Sequence, residues 1–196
     1  MIVGLTGGIG SGKSTVANMF AKFSNIAIYF ADDEAKKLMN TSIEIKKKLI
    51  AEFSEEVYEN GKLNRSFLAS IVFKNKEKLA ILNAIVHPVV HVHFQSFIKE
   101  NASKDYILYE NAILFENGSN LLCDKIITVT APKNIKIQRV IKRDHTTEAE
   151  VNNRMNNQWL DIKKILQSHY VIENINLQDT EDQVLKIHNK LTKKYV

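Results

Sequence analysis

The feature that most constrains the fold of this chain is a glycine-rich stretch at residues 7–15. It reads GGIGSGKST and fits the pattern G-x-x-x-x-G-K-[ST], which binds phosphate groups when it lies between a strand and a helix. Ile2–Thr6 in front of it is short and apolar, as is typical of a buried strand. Residues 14–23 behind it carry apolar side chains close to helical spacing. Strand, loop and helix in this order predict a P-loop.

The residue types in the P-loop suit the binding of a nucleoside triphosphate. Glycines let the backbone turn tightly and bring its N–H groups close to phosphate oxygens, and the N-terminus of the following helix attracts the same negative charge. We expect Lys13 to reach the β- and γ-phosphates and the Ser14 hydroxyl to ligate Mg²⁺. The alternative is a glycine-rich turn that binds no ligand. The predicted nucleotide-binding residues are Gly8, Gly10, Ser11, Gly12, Lys13, Ser14 and Thr15.

Length and composition exclude several other classes of protein. The 196 residues suit one domain, and no unbroken apolar run reaches the roughly 18 to 20 residues of a membrane span. The first predicted strand leaves no room for a signal peptide. The single cysteine, Cys123, excludes an internal disulfide and fits a reducing cytoplasm. The net charge of +5 suits polyphosphate ligands, whereas the scattered lysines predict no nucleic-acid surface.

Apolar periodicity along the chain predicts an α/β fold. The predicted strands are Ile2–Thr6, Ile26–Phe30, 106–109, Lys125–Thr130 and 170–172. The predicted helices cover residues 14–23, 33–39, 43–53, 65–73, 76–86, 89–99, 132–143, 159–167 and 180–193. Asn60-Gly61 predicts a turn, and Asn64 predicts a helix cap. Strands that alternate with helices predict a five-stranded parallel sheet with helices on both faces, and ligands then bind beyond the carboxyl ends of the strands.

The same reading divides the predicted domain into three parts. The core consists of residues 1–32, 104–143 and 168–196, which contain the strands. Residues 33–103 form a helical insertion, which we expect to bind the phosphoryl acceptor. The polar residues 144–167 form a lid, which we expect to close over the phosphates and exclude water.

Three charged residues are candidates for catalysis by this core. Asp32 follows the second predicted strand, where its carboxylate can accept a proton from an attacking hydroxyl. The alternative role of Asp32 is the N-cap of a helix that begins at Asp33. Arg139 and Arg143 lie four residues apart on one helix, so they share a face and can both point toward phosphates. The alternative is an exposed helix surface on which Arg143 pairs with Asp144.

The sequence resembles the dephospho-CoA kinase family along almost its whole length. Residues 5–17 match the opening of the family, L-T-G-G-I-G-S-G-K-S-T-V-A, without a gap. The further matching segments are Ala31-Asp32, the insertion residues Gly61, Leu63, Arg65, Leu68, Val72 and Phe73, then His87-Pro88, residues 112–116, Arg139 with Arg143-Asp144, Gln158 and residues 171–174. The sequence departs from the family pattern at Phe30, Lys36 and Ala112, where the family has aspartate, arginine and proline.

The resemblance implies a reaction, its substrates and further site residues. The γ-phosphoryl of ATP would be transferred, with Mg²⁺, to the ribose 3′-hydroxyl of dephospho-CoA, which gives coenzyme A and ADP in the last step of coenzyme A biosynthesis. Asp32 would be the catalytic base, and Lys13 and Arg143 would stabilise the transferred group. Asn174 would lie near the adenine of ATP, through its backbone more than its side chain. The enzyme would be cytoplasmic, act without a membrane or nucleic acid, and form a monomer or a weak homo-oligomer.

The acceptor would be held by three residues of the insertion, namely Lys36, Arg65 and His87. Lys36 keeps the charge of the family's arginine but loses its two-pronged geometry. Arg65 can be an ordinary surface charge at a helix start, and His87 can be a structural histidine that fixes a turn into the next helix. Glu110 can orient metal-bound water or be a surface carboxylate. The rival functions are a kinase for nucleoside monophosphates or small metabolites and a GTP-dependent switch, for which no N-K-x-D motif is present.

Overall fold

A computed structural model of the chain describes residues 1–72 and 75–192, which fall into two compact units. The first unit, the sheet unit, contains residues 1–30 and the described residues from 101 onward. The second, the helical unit, is Ala31–Glu100. The ends of two predicted helices, at Phe73 and Lys193, lie outside the described residues.

The elements are numbered in chain order. The strands are β1 Ile2–Thr6, β2 Ile26–Phe30, β3 Tyr58–Glu59, β4 Lys62–Leu63, β5 Tyr106–Glu110, β6 Lys125–Thr130 and β7 Tyr170–Glu173. The helices are α1 Lys13–Phe20, α2 Ala31–Thr41, α3 Ile43–Phe53, α4 Arg65–Val72, α5 Lys76–Glu100, α6 Lys133–Asp144, α7 Glu148–Asn156, α8 Asp161–Ile165 and α9 Leu177–Thr192.

The sheet unit contains a parallel sheet in the order β2-β5-β1-β6-β7, which confirms the predicted five strands. All five residues of β5 are buried, as expected for a strand near the middle of a sheet that is covered on both faces. Glu110, the last residue of β5, pairs in register with Leu5 of β1 and Phe30 of β2. The carboxyl ends of three strands therefore meet at one edge of the sheet, beside the P-loop.

Helices α1 and α9 cover part of this sheet with a continuous apolar core. Val16 and Phe20 of α1 and Val184 of α9 join the buried strand residues in one cluster. The prediction extended α1 to residue 23, but the helix ends at Phe20. Phe23 instead stacks on His188 of α9 with 3.7 Å between ring centroids, so packing against α9 turns the chain out of the helix.

The helical unit has its own core of apolar residues. Its buried members are Ile45, Leu49, Phe53, Val57, Leu63, Leu68, Val72 and Val86. The predicted turn at Asn60-Gly61 is confirmed, because both residues adopt positive φ between the paired strands β3 and β4. The predicted cap at Asn64 is also confirmed, since its side chain accepts the N–H of Phe67 at 3.1 Å in the first turn of α4.

The two predicted helices at 76–86 and 89–99 are one helix, so the expected turn at His87-Pro88 is wrong. Helix α5 runs through Pro88 without ending. Proline removes one backbone hydrogen bond and favours a break. Val86 and Phe94 are buried on either side of it, and their burial maintains a continuous helix. Helix α5 is long and apolar enough to cross a membrane, judged by length and composition alone. The core helix of a soluble protein meets the same two criteria.

The stretch expected to be an irregular polar segment after residue 144 contains helix α7. A reciprocal capping box begins it, because Thr147 accepts the N–H of Glu150 while the Glu150 carboxylate accepts the N–H of Thr147. Val151 is fully buried against Ile137 and Val140 of α6. Two apolar side chains in a polar segment, Val151 and the partly buried Met155, thus dock the helix, and two residues are too few for a search for apolar periodicity to detect.

Candidate active site

The P-loop connects β1 to α1 at the edge where the strands end. Gly10 and Gly12 have φ of 78° and 84°, which favour glycine, and a Cβ on Gly10 would lie 2.4 Å from the Lys136 carbonyl oxygen. The loop borders a cavity of about 620 Å³. The cavity, called here the phosphate cavity, is lined by residues 7–15 and by Ala112, Arg139, Val140, Arg143 and Gln158. It therefore brings the predicted loop residues and both predicted arginines together.

Lys13 contacts the carboxylate of Glu110 in a close ion pair at the base of the loop. Glu110 is only 4% exposed, so the alternative of a surface carboxylate is wrong. The position follows from sheet register, because Glu110 ends β5 beside Leu5 of β1. A buried carboxylate at this point holds the ammonium group of Lys13 at the cavity wall and balances its charge.

The oxygen ligands at the start of α1 suit a magnesium ion. Ser14 is exposed and lines the phosphate cavity, as predicted for a metal ligand, and the Glu110 carboxylate lies beside its neighbour Lys13. Mg²⁺ prefers hard oxygen ligands and keeps several waters, with phosphates of the substrate as further ligands. Among residues 1–72 and 75–192, no group of three His, Cys, Asp or Glu side chains is placed to hold a metal.

Two P-loop residues and Asn174 are held by hydrogen bonds inside the sheet unit. Ser11 donates its backbone N–H to the Gly8 carbonyl at 3.0 Å. Its carbonyl accepts a hydrogen bond from Nδ2 of Asn174 at 2.9 Å. Asn174 is 2% exposed, follows β7 and is not one of the residues that line the phosphate cavity. Its side chain therefore faces the back of the P-loop.

The two arginines of α6 differ in their partners. Arg139 lines the phosphate cavity, and its buried Nη1 atom has no hydrogen-bond partner among the described residues. Arg143 also lines the cavity but donates two hydrogen bonds to Asp144, at 2.7 and 3.1 Å. This is the surface pairing predicted as the alternative role. The hydrogen bonds from Arg143, and then those from Arg154, hold the pKa of Asp144 at about 2.

The lid segment is tied to the P-loop by Gln158. The Oε1 atom of Gln158 accepts the N–H of Ile9 at 2.8 Å. A second cavity, of about 550 Å³, shares Gly8, Ile9 and Gln158 with the phosphate cavity, so Gln158 borders both. The lid segment is thereby fixed at Gln158 to the loop that borders the cavity.

Sequence reasoning missed Lys136, which is only 8% exposed and lies beside the P-loop. Its Nζ donates to Asp161 at 2.7 Å, and Asp161 also accepts the Thr130 hydroxyl at 2.6 Å. The available signal was spacing, because Lys136 precedes Arg139 by three residues and shares its helix face. The prediction gave Lys136 no role, because it considered the lysines only as scattered charges.

A second buried ion pair joins the lid segment to the core. Lys164 is fully buried, and its Nζ lies 2.9 Å from Oε1 of Glu116 and donates to the Ala112 carbonyl at 2.9 Å. The same Glu116 oxygen accepts the N–H of Trp159 at 2.9 Å. The glutamate that the family resemblance singled out therefore anchors the segment that follows α7, next to the cavity residue Ala112.

The remaining predicted residues, Asp32, Lys36, Arg65 and His87, belong to the helical unit, and all are exposed. Asp32 and Lys36 are four residues apart in α2 and share a face. Arg65 begins α4, and His87 lies in the middle of α5, so three helices carry the acceptor candidates. Partial desolvation by neighbouring groups lowers the pKa of His87 below its ordinary value, although its side chain reaches the surface.

The alternative role of Asp32 as an N-cap is wrong. Helix α2 begins at Ala31, so Asp32 is its second residue rather than the residue before it. There its carboxylate, like that of Asp33, favours the positive end of the helix dipole. Lys36 donates to Asp33 at 2.7 Å, which leaves Asp32 outside this pair.

Comparisons with known proteins assign the chain to a family. A model of the dephospho-CoA kinase family matches residues 1–179. A dephospho-CoA kinase from Bacteroides fragilis is 34% identical over 185 residues, which cover 94% of this chain and 90% of the relative. The relative from Fusobacterium nucleatum is 36% identical over 181 residues, which cover 91% and 92% of the two chains.

Solved structures agree with this assignment. A dephospho-CoA kinase from Campylobacter jejuni is 26% identical with a TM-score of 0.70, and the match covers 97% of this chain and 96% of that one. A shikimate kinase from Bacteroides thetaiotaomicron, 14% identical with a TM-score of 0.52 over 98% of this chain and 99% of that one, shares the fold alone. The chain belongs to the dephospho-CoA kinase family.

Proposed function

We propose that the protein is a dephospho-CoA kinase. It transfers the γ-phosphoryl of ATP to the ribose 3′-hydroxyl of dephospho-CoA and releases coenzyme A and ADP, as the last step of coenzyme A biosynthesis. The observation that carries this proposal is the phosphate cavity. It is lined by the P-loop with Lys13 and by Arg139 and Arg143, in a chain that belongs to this kinase family. It is an ATP-dependent transferase that acts on an alcohol group.

The phosphate cavity supplies binding and charge neutralisation. Lys13 exchanges Glu110 for the β- and γ-phosphates, and Ser14 holds Mg²⁺, which neutralises charge on the phosphates when it is bound. The unpartnered Nη1 of Arg139 donates to a phosphate oxygen. Arg143 leaves Asp144 and stabilises the charge that develops on the transferred group. The backbone at Gly8, Gly10, Gly12 and Thr15 completes the binding surface for ATP.

Asp32 is the catalytic base in this proposal. It lies two residues beyond Phe30, the last residue of β2, which pairs in register with Glu110. The exclusion of the N-cap role and the absence of Asp32 from the Lys36–Asp33 pair support this assignment. Its carboxylate accepts the proton of the 3′-hydroxyl as that oxygen attacks the γ-phosphorus, and ADP leaves.

The helical unit, residues 31–100, binds dephospho-CoA. Lys36 and Arg65 offer positive charge to the acceptor's phosphates, and His87 contacts it as a neutral imidazole because its pKa is lowered. Asn174 contributes to ATP binding from beyond β7. The lid, residues 144–167, closes to exclude water. The enzyme works in the cytoplasm, as a monomer or weak homo-oligomer, without nucleic acid or membrane.

The test is release of ADP from Mg-ATP in the presence of a panel of acceptors. The panel holds dephospho-CoA, the common nucleoside monophosphates, adenosine, shikimate, and a sample without acceptor. We expect turnover with dephospho-CoA alone and recovery of coenzyme A as its product. Turnover confined to a monophosphate would contradict the proposed acceptor and the roles of Lys36, Arg65 and His87, while leaving the P-loop assignment in place.

A further inference from the structure

The conformation of the P-loop depends on a hydrogen bond that approaches it from behind. Nδ2 of Asn174 donates to the Ser11 carbonyl at 2.9 Å, and both residues are almost fully buried. The contact is tight, because a Cβ built on Gly12 would lie 1.9 Å from Nδ2. Only glycine at position 12 leaves room for the Asn174 amide, so Gly12 and Asn174 are sterically matched.

The amide of Asn174 is itself fixed in direction. The Thr180 hydroxyl lies 3.2 Å from its Oδ1 but also 2.6 Å from the Asn176 carbonyl, which competes for the single hydroxyl proton, and the backbone N–H of Asn174 donates to the Thr130 carbonyl at 2.8 Å. An amide has one acceptor end and one donor end, and the Ser11 carbonyl oxygen can only accept, so the NH₂ group is the end that faces Ser11. The strand ends of β6 and β7 thus position one donor at the P-loop.

The direction of the Ser11–Gly12 peptide follows from this bond. The peptide is trans and planar, so the carbonyl of Ser11 and the N–H of Gly12 point in opposite directions. Asn174 holds the carbonyl on the side away from the phosphate cavity, and Gly12 lines that cavity. The N–H of Gly12 is therefore directed toward the space where phosphates bind.

We propose that Asn174 is a positioning residue that acts through the P-loop: its amide orients the Ser11–Gly12 peptide so that the Gly12 N–H is presented to the phosphates. This inference rests on the proposed function insofar as that function requires a polyphosphate in the cavity. It gives the side chain of Asn174 a role that is separate from a backbone contact with adenine, because the side-chain donor is directed to Ser11.

The test compares two asparagine-to-aspartate changes in one loop. Asn174→Asp keeps the shape of the side chain but removes the donor and places an acceptor against the Ser11 carbonyl. Asn176→Asp is the matched control, since Asn176 is exposed and uses its side-chain oxygen to accept the Gln178 N–H, which a carboxylate also does. Calorimetry measures dissociation constants for ATP and for inorganic tripolyphosphate, which has no base, and the melting temperature reports folding.

We expect Asn174→Asp to weaken ATP and tripolyphosphate alike, by about tenfold or more, while Asn176→Asp changes both by less than about threefold. The KM for dephospho-CoA should stay unchanged. Weaker ATP binding with unchanged tripolyphosphate binding would overturn the proposal in favour of a base contact, and so would two unchanged constants. If the aspartate variant does not fold, Asn174→Ala, which adds no charge, carries the same comparison.

Two outcomes separate this inference from the proposed function. A wild-type protein that binds neither ATP nor tripolyphosphate would contradict the phosphate site itself. A wild-type protein that binds both and phosphorylates dephospho-CoA, with an Asn174→Asp variant indistinguishable from it, would contradict only the positioning role.

Discussion

The sheet unit and the helical unit present their functional residues in different ways. Around the P-loop, the backbone of Ser11 and the side chains of Glu110 and Asn174 are buried and hydrogen-bonded or paired. In the helical unit, the candidates Asp32 and Lys36 are exposed on the first helix, as are those on the other two helices. One site is held in place by the core, whereas the other uses charged side chains on helix surfaces.

The difference indicates how each region binds its ligand. Buried donors with fixed directions bind phosphate without reorganisation, because the cost of ordering them is met when the protein folds. Exposed charges are screened by solvent, and each contributes little unless substrate closes around it. We therefore expect single changes in the sheet unit to reduce catalysis strongly. Changes in the helical unit, apart from Asp32, should affect mainly the KM of the acceptor.

The largest effect is expected for Lys13→Ala. Removal of the charge that binds the β- and γ-phosphates should lower kcat by about 10²- to 10³-fold, as measured by ADP release with dephospho-CoA. Lys22→Ala is the control, because Lys22 is exposed and pairs with Glu181 at the surface. Near-normal turnover of Lys13→Ala would contradict the phosphate assignment.

Asp32→Asn tests the one residue of the helical unit that we place in the chemical step. Loss of the base should reduce kcat by about 10²-fold while the KM for ATP stays the same. The neighbouring Asp33→Asn is the matched control, since Asp33 lies in the same helical turn and pairs with Lys36. Equal activity of the two variants would limit Asp32 to a helix-dipole role.

Arg143→Ala measures stabilisation of the transferred group. We expect kcat to fall about tenfold and the dissociation constant of ATP to rise less, because Arg143 leaves Asp144 only as charge develops. Lys142→Ala, a change at the adjacent exposed lysine, controls for loss of surface charge. Equal losses in kcat and in ATP affinity would instead indicate uniform binding of ATP and transition state.

Lys36→Ala is expected to act on the acceptor alone. The KM for dephospho-CoA should rise by about three- to tenfold, with the KM for ATP unchanged, since an exposed charge makes a modest, screened contribution. Lys37→Ala, which removes an exposed lysine paired with Glu34, is the control. Initial rates at varied acceptor concentration give both constants, and a rise in the KM for ATP would place Lys36 elsewhere.

His87→Gln should have the smallest effect. Desolvation lowers the pKa of His87, so the folded protein holds it neutral at pH 7.5, and it becomes a cation only as pH falls through that lowered value. We expect the KM for dephospho-CoA to change by less than about twofold on substitution. The KM of the wild-type protein for dephospho-CoA should also stay constant from pH 8 down to about 6.5, which is the ordinary pKa of histidine. If the KM decreased with pH over this range in the wild type but not in His87→Gln, His87 would bind the acceptor as a cation instead.

Local patterns predicted most of the elements because neighbouring residues decide them. The strands β1, β2 and β6 and the helix α3 have the predicted bounds, since each has a distinct apolar run or period. Helix α5 was divided in prediction because proline normally breaks a helix, and only packing of Val86 and Phe94 reveals its continuity. Helix α7 was missed because few apolar residues mark it, and Val151 and Met155 are the ones that pack against α6.

The site was predictable where a motif imposes geometry on adjacent residues. Residues 7–15, Arg139 and Arg143 meet at one cavity, as their spacing indicated. Lys136 and Lys164 were missed, because lysine is rarely buried and nothing local marks the partners Asp161 and Glu116. Those partners lie 25 and 48 residues away in sequence, at a range that no helical or strand period covers.

The sequence by itself determined the P-loop and the five strands of the parallel sheet, because these depend on residues close together in the chain, and its motifs indicated the family. Only the tertiary structure decided which polar groups are buried and which way they point. Asn174 shows the physical reason. An asparagine after a strand can face solvent, base or backbone, and its amide gains a direction only when the Ser11 carbonyl, 163 residues away in sequence, meets it.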